Sequence, residues 1–188
     1  MGRRLLDSSL LLAPIPGGGV DGGAVASDAN IAGLVGIEAR LLNRSTGEIL
    51  GLDESESVLK SAVASLGTNH RRLYKDSPVS KLSLELLPPD FKLICVLLNL
   101  CVSSESHRTG LGGTICTSAE DMGEGWGFEE MYLRVEVENG AARALYEVRM
   151  GYEIRFVEAR SMVGLRVDTN GGYFVDICTN MLTMAKRL

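Results

Sequence analysis

A cationic surplus is the first thing this chain lacks. Nineteen lysines and arginines stand against 24 aspartates and glutamates in 188 residues, a formal charge of −5. Duplex DNA and anionic membranes both need a cationic face, so neither nucleic acid nor membrane is expected as a partner. Histidine and cysteine are scarce, at two and four. No cysteine pair has C-x-x-C spacing, and only His70 and His107 are present to complete a metal set, so no metal is expected. Cys95 and Cys101 lie in an apolar run, where a free cysteine behaves as a small buried hydrophobe. A disulfide framework is therefore not expected, and a reducing, intracellular setting is.

Long hydrophobic runs are missing as well. Leu93–Val102 is interrupted by Asn99 and is half the length a bilayer demands. Arg3, Arg4, the following leucines and Ala24-Val25-Ala26 loosely mimic a secretory signal, but Asp7, Ser8, Ser9 and Pro14 break the apolar stretch. Leu6 stands where myristoylation needs serine or threonine. There is no G-x-x-x-x-G-K-[ST], and Ile115 occupies the place of the third Rossmann glycine. No internal repeat is visible.

What remains is a globular chain, 45% hydrophobic and 23% charged, long enough to bury a real core as one domain. Glycine is high, at 22 residues, and concentrated toward the N-terminal end. Residues 1–21, with Pro14, Pro16 and Gly17-Gly18-Gly19, read as a tail. Gly22–Ser27 and Ile31–Leu42 read as a hairpin around Asp28-Ala29-Asn30, and Asn43–Gly47 as a turn. Val58, Leu59, Ala62, Val63 and Leu66 recur at helical spacing from Asp53, with Gly67 as the stop. A second helix is expected from Ser77 to Pro88, and then a strand buried on both faces over Phe91–Val102. Ile115, Cys116, Ala119, Met122 and Trp126 form one helical face ending at Gly127. Met131–Val137 alternates as a strand. Asn139 caps a helix carrying Ala142, Leu145 and Val148 on one side, which Gly151 ends. Tyr152, Ile154 and Phe156 alternate through another strand, followed by a turn at Asn170-Gly171-Gly172. Two closing strands are expected near Tyr173–Ile177 and Met181–Lys186. Strands mixed with helices indicate α/β or α+β with a mixed sheet.

Two stretches carry chemistry. In the first, a buried strand ends at Val102, a polar loop runs through His107-Arg108-Thr109-Gly110-Leu111-Gly112-Gly113, and an amphipathic helix starts at once. Glycines let successive N–H groups face one concavity at a helix N-terminus, which is a phosphate or pyrophosphate cradle, with Arg108 and His107 adding charge. The same residues also suit a plain strand–helix turn. In the second, Asn139 opens a helix and Tyr146 follows two turns on, nearly on the same side. An ordinary capped amphipathic helix would read alike.

Together these stretches resemble the GNAT superfamily of acetyl-CoA-dependent N-acetyltransferases. Its signature Q/R-x-x-G-x-G/A is similar to His107-Arg108-Thr109-Gly110-Leu111-Gly112, with histidine at the Q/R position. Asn99–Ser103 resembles its bulged strand, Asn139…Leu145-Tyr146…Gly151-Tyr152 its N-x-A-A-x-x-L-Y-x-x-x-G-F/Y segment, and Met184–Leu188 its last strand. The resemblance covers residues 91–157, extends to 22–43, and in detail points to the plant and algal plastid branch.

The resemblance implies an α+β fold, a mixed, mostly antiparallel central sheet with a splayed parallel strand pair (Leu93–Val102 and Met131–Val137) and flanking helices. It implies a tail over 1–21 and an N-acetyltransferase domain over 22–188, with 44–90 as a helical insertion. Acetyl-CoA is the implied cosubstrate. Its pyrophosphate would lie on the amides of His107, Arg108, Thr109, Gly110, Leu111, Gly112 and Gly113, and its pantetheine arm along Cys101 and Val102. Asn139 would fix the arm, and Tyr146 would protonate the departing thiolate as catalytic acid. The acceptor would be a protein N-terminus or lysine, with a small-molecule amine, or a truncated acyl-CoA-binding protein without turnover, as alternatives. A nucleotide-binding regulator is a third class. Arg134 stands where ribosomal-protein acetylating relatives carry a glutamate, and a guanidinium takes no proton, so Glu136, Glu38 and a water chain remain as bases. Cytosol and plastid stroma are both compatible, and His70-Arg71-Arg72-x-x-Lys75 suits an acidic peptide.

Overall fold

The computed structural model describes residues 8–14, 31–67, 85–167 and 174–188. The expected strand at 22–27, helix from Ser77, basic cluster at 70–75 and turn at 170–172 lie outside them. The order of elements is β1 (Ser8–Pro14), β2 (Ile31–Asn43), α1 (Leu52–Ala64), β3 (Phe91–Val102), a 3-10 turn (Ser104–Ser106), α2 (Leu111–Gly125), β4 (Glu130–Glu136), α3 (Gly140–Arg143) running into a π-helical turn (Ala144–Arg149), β5 (Glu153–Val167) and β6 (Phe174–Arg187). The class is α+β, as expected. Two compact units divide it, residues 1–131 with 187–188, and residues 132–186.

In the first unit β2 is central, pairing antiparallel with β1 on one side and β3 on the other. Ser8–Pro14 is thus a strand and not part of a tail. Its composition signals no strand locally, because the partner that holds it, β2, comes later in the chain. Asn43 Oδ1 accepts the N–H groups of Ser45 and Thr46 at 2.9 and 3.2 Å, and Gly47 turns the chain with φ 76°. Helix α1 starts where Glu54 Oε2 accepts the Gly51 N–H at 3.0 Å. It docks through the buried Ser55, whose Oγ accepts the Leu41 N–H at 3.1 Å, and through the buried Leu59.

The core runs from Val35, Ile37 and Leu41 of β2 to Ile94, Cys95 and Val96 of β3 and to Ile115, Cys116 and Ala119 of α2. Burial on both faces of β3 holds from Leu93 to Leu97; beyond Leu98 the strand alternates and Cys101 is exposed. Gly123 lets α2 approach the core closely, since a Cβ there would lie 3.2 Å from Cys95 Sγ and 3.2 Å from Leu188 Cδ1.

In the second unit the order is β4, β6, β5, and the β5–β6 ladder is antiparallel. Phe174–Arg187 is one continuous strand where two short ones are expected, because β5 pairs with it along its whole length and carries the irregularities itself. The alternation expected from Tyr152 also shifts. Ile154 is 44% exposed, since the register slips between Ile154 and Phe156.

Candidate active site

The floor of the loop is a bulge. Leu34 pairs with Cys101 and Gly36 with Leu98, so three steps of β3 oppose two of β2. Asn99 absorbs the extra residue in the left-handed region at φ 52°. The expected bulged strand is therefore present, and it tips Cys101 and Val102 out of the buried register.

Past the bulge the Ser104–Ser106 turn closes on itself. The Ser106 N–H donates to Ser103 O at 3.0 Å and the His107 N–H to Ser104 O at 3.3 Å. This corrects one expectation: the His107 amide is engaged and does not open the cradle. The His107 ring nitrogen Nε2 lies 3.1 Å from Val102 O, so histidine at the signature's Q/R position reaches back onto the chain that precedes it.

Arg108 and Gly110 then take φ 61° and 92°, and Gly110 is the N-cap of α2. Two left-handed residues so close together curl the main chain around one point, a conformation glycine adopts freely and arginine does not. Thr109 braces the curl: its Oγ1 donates to Ser106 O at 2.8 Å and lies 3.4 Å from the Leu111 N. The first intrahelical bond is from the Thr114 N–H to Gly110 O at 3.2 Å. The amides of Arg108, Thr109, Gly110, Gly112 and Gly113 have no acceptor among the described residues. These five open donors lie at the positive end of a fifteen-residue helix, where an anion would be favoured.

The second stretch departs further from expectation. Asn139 does cap, its Oδ1 accepting the Ala142 N–H at 3.1 Å, but α3 lasts only to Arg143. The chain then widens into the π turn, where the Met150 N–H reaches Leu145 O at 2.9 Å, five residues back. The wider turn rotates the following side chains off the 3.6-residue stripe. Val148, expected inside with Ala142 and Leu145, is 85% exposed, and Tyr146 is buried while Asn139 is exposed. The two thus differ in exposure, one facing the core and the other capping at the surface. Arg143 anchors the turn by donating to Glu147 Oε1 at 2.6 Å and to Val137 O at 3.2 Å; the bond to Glu147 also raises the Arg143 pKa.

Of the candidate bases, Glu38 is paired with Arg40 at 2.7 Å and Glu136 is exposed. Arg134 donates to Glu158 and, at 2.7 Å, to Ser161 Oγ, while Glu158 Oε1 accepts from the fully buried Thr183 at 3.2 Å. Glu158 is a residue sequence reasoning missed. A register slip between Glu158 and Ser161 turns both toward Arg134, and no local signal foretells it. No group of three metal-ligating side chains occurs among the described residues, and no described helix is long and apolar enough to cross a membrane.

The site is thus a curled loop of open amides at a helix start, fed by a bulged strand. Residues 65–152, which contain that loop, α2, β4 and the Tyr146 turn, match the acetyltransferase (GNAT) family model. GCN5-related N-acetyltransferase 7, chloroplastic, of Arabidopsis thaliana is 39% identical over 57 residues, which are 30% of this chain and 20% of the relative. The chain thus spans about a fifth of that curated relative. Among solved structures, the ribosomal-protein-S18-alanine N-acetyltransferase from Escherichia coli is 26% identical with a TM-score of 0.38, over 50% of this chain and 53% of the other. Chaetomium thermophilum Naa20 in complex with a bisubstrate analogue is 18% identical with a TM-score of 0.49, over 88% and 64%.

Proposed function

We propose that this chain is an N-acetyltransferase that moves an acetyl group from acetyl-CoA to a primary amine of a protein, N-terminal or lysine. The open amides of Arg108, Thr109, Gly110, Gly112 and Gly113 carry the reading, because a pyrophosphate offers the acceptors they lack. The Arg108 guanidinium adds a charge-assisted contact. Leu111 completes the curl, and His107 contributes through its ring, since its amide is engaged. Main-chain groups of Cys101 and Val102, tipped outward by the bulge, pair with the pantetheine arm. Asn139 spends Oδ1 on its cap and keeps its side-chain NH₂ for the same arm.

The acceptor nitrogen attacks the thioester carbonyl carbon directly, a C–N bond forms, and the C–S bond breaks. The thiolate takes the Tyr146 phenol proton; the proton shed by the nitrogen passes to water or a carboxylate. A phenol near pKa ~10 and a thiol near ~8.5 are close enough for that transfer. Arg134, held by Glu158, is no base in this scheme. The chloroplastic designation of the Arabidopsis relative supports the plastid stroma over the cytosol.

The test mixes the protein with acetyl-CoA and a panel of peptide and small amines and follows free thiol. Peptide-dependent thiol release is the expected result. CoA binding without release under any acceptor would replace the enzyme with an acyl-CoA-binding protein. Thermal protection by ATP and none by CoA would overturn the reading.

A further inference from the structure

Tyr146 sits buried in a π turn, a segment one residue wider per turn than an α-helix. What fixes the ring lies just downstream. Gly151, at φ 77°, reverses the chain, so that the Tyr152 N–H donates to Tyr146 O at 2.9 Å. The two rings then meet edge to face, with centroids 5.9 Å apart and planes at 68°, and both are buried. In the β5–β6 ladder Glu153 pairs with Ala185, which puts Lys186 beside Tyr152; its Nζ stands 5.9 Å from the Tyr152 ring centroid. Ala185 and Met184 are fully buried, so the strand carrying Lys186 is anchored beneath this stack.

We infer that Tyr152 is a positioning residue for Tyr146, and that Lys186 locks Tyr152 through a cation–π contact. The inference rests on the reading of Tyr146 as the proton donor. A donor works only when held within about 0.5 Å of its productive place, and a tyrosine turns about two side-chain bonds. The edge-to-face contact restricts rotation about both. The ammonium over the other ring keeps that contact from loosening. Neither residue touches the reacting atoms.

The experiment compares Tyr152→Leu with Tyr152→Phe, and Lys186→Met with Lys186→Arg, in the full chain. Tyr152→Leu is expected to lower kcat about threefold to tenfold with CoA affinity unchanged, while Tyr152→Phe, which keeps the ring, restores it. Lys186→Met is expected to lower kcat about twofold to fivefold, and Lys186→Arg to restore it. In the free protein, the NMR ring-current shift within the Tyr146–Tyr152 pair, read on the Tyr146 ring protons, should vanish in Tyr152→Leu and persist in Tyr152→Phe. Equal kcat in the leucine and phenylalanine variants, or a ring-current shift that survives in Tyr152→Leu, overturns the inference. If Tyr152→Leu fails to fold, the Lys186 pair decides: equal kcat in Lys186→Met and Lys186→Arg sinks it. Tyr146→Phe separates the two readings. Full turnover there removes Tyr146 as the acid, whereas a loss of turnover there with none in Tyr152→Leu removes the positioning role alone.

Discussion

Gly33 on β2 is where the scaffold under the loop is tightest. A Cβ built there would lie 2.6 Å from Ile115 Cδ1 of α2, 3.0 Å from the Cys101 carbonyl oxygen and 3.6 Å from Leu111 Cδ2. The isoleucine methyl can swing away, but the Cys101 carbonyl belongs to the bulge and moves only with the backbone. Gly33→Ala is therefore an overpacking change of about 1–3 kcal/mol, offset by ~0.4–1 kcal/mol from the stiffer unfolded chain. A net loss of about 1–2 kcal/mol should lower Tm by roughly 2–8 °C for a chain of this size. Gly36, three residues on and facing the other way, is the control. A Cβ there meets Leu98 O at 3.5 Å and Leu98 Cβ at 3.6 Å, ordinary contacts, so Gly36→Ala should be neutral or gain up to about 1 kcal/mol. Urea and thermal unfolding of both variants give the answer. A Gly33→Ala protein as stable as the wild type, or a Gly36→Ala protein as weak as Gly33→Ala, would refute the close packing of α2 on β2.

The remaining tests address the site and its surroundings. Gly110→Ala forces a Cβ into φ 92° and should cost about 1–2 kcal/mol and weaken CoA binding. Arg108→Gly, relieving φ 61°, should leave stability unchanged or slightly raised while weakening CoA binding through the lost cation; calorimetry with CoA reads both. Iodoacetamide and mass spectrometry should label the exposed Cys101 and Cys178 and spare the buried Cys95 and Cys116, and CoA should protect Cys101 but not Cys178. Burial pushes the Cys95 thiol up from 9.0 to about 12, so the folded state binds the extra proton between those values. Stability should therefore fall as pH rises above about 9, less steeply in Cys95→Ala. Asn139→Ala should cost about 1 kcal/mol and speed hydrogen exchange at Ala142, the amide it caps.

Much of this was legible locally. Gly110 behind a buried strand marks the loop, because glycine freely adopts the φ of 92° found there, whereas Gly112 and Gly113 fall in the first turn of α2. Asn139 is a cap for the reason any asparagine is, a short acceptor two or three amides from its own backbone. The helical stripe of Leu59, Ile115, Cys116 and Ala119 and the unbroken run of Leu93–Leu97 map onto the core as their periods require. The features that escaped are those without a local signature. Ser8–Pro14 is a strand only because β2 pairs with it, and the π turn around Tyr146 exposes Val148 against its hydrophobicity.

Sequence by itself determined which segments could curl, which could be buried, and that a glycine-bearing loop precedes an amphipathic helix, since backbone freedom and apolar period are properties of neighbouring residues. Tertiary structure alone decided that the His107 amide is consumed by its own turn, that Glu158 faces Arg134 across a slipped register, and that Tyr152 and Lys186 stack behind Tyr146. Those contacts are set by ladder register and by an extra residue in a turn. Each is a small difference between nearly equal backbone arrangements, settled by packing among residues distant in the chain.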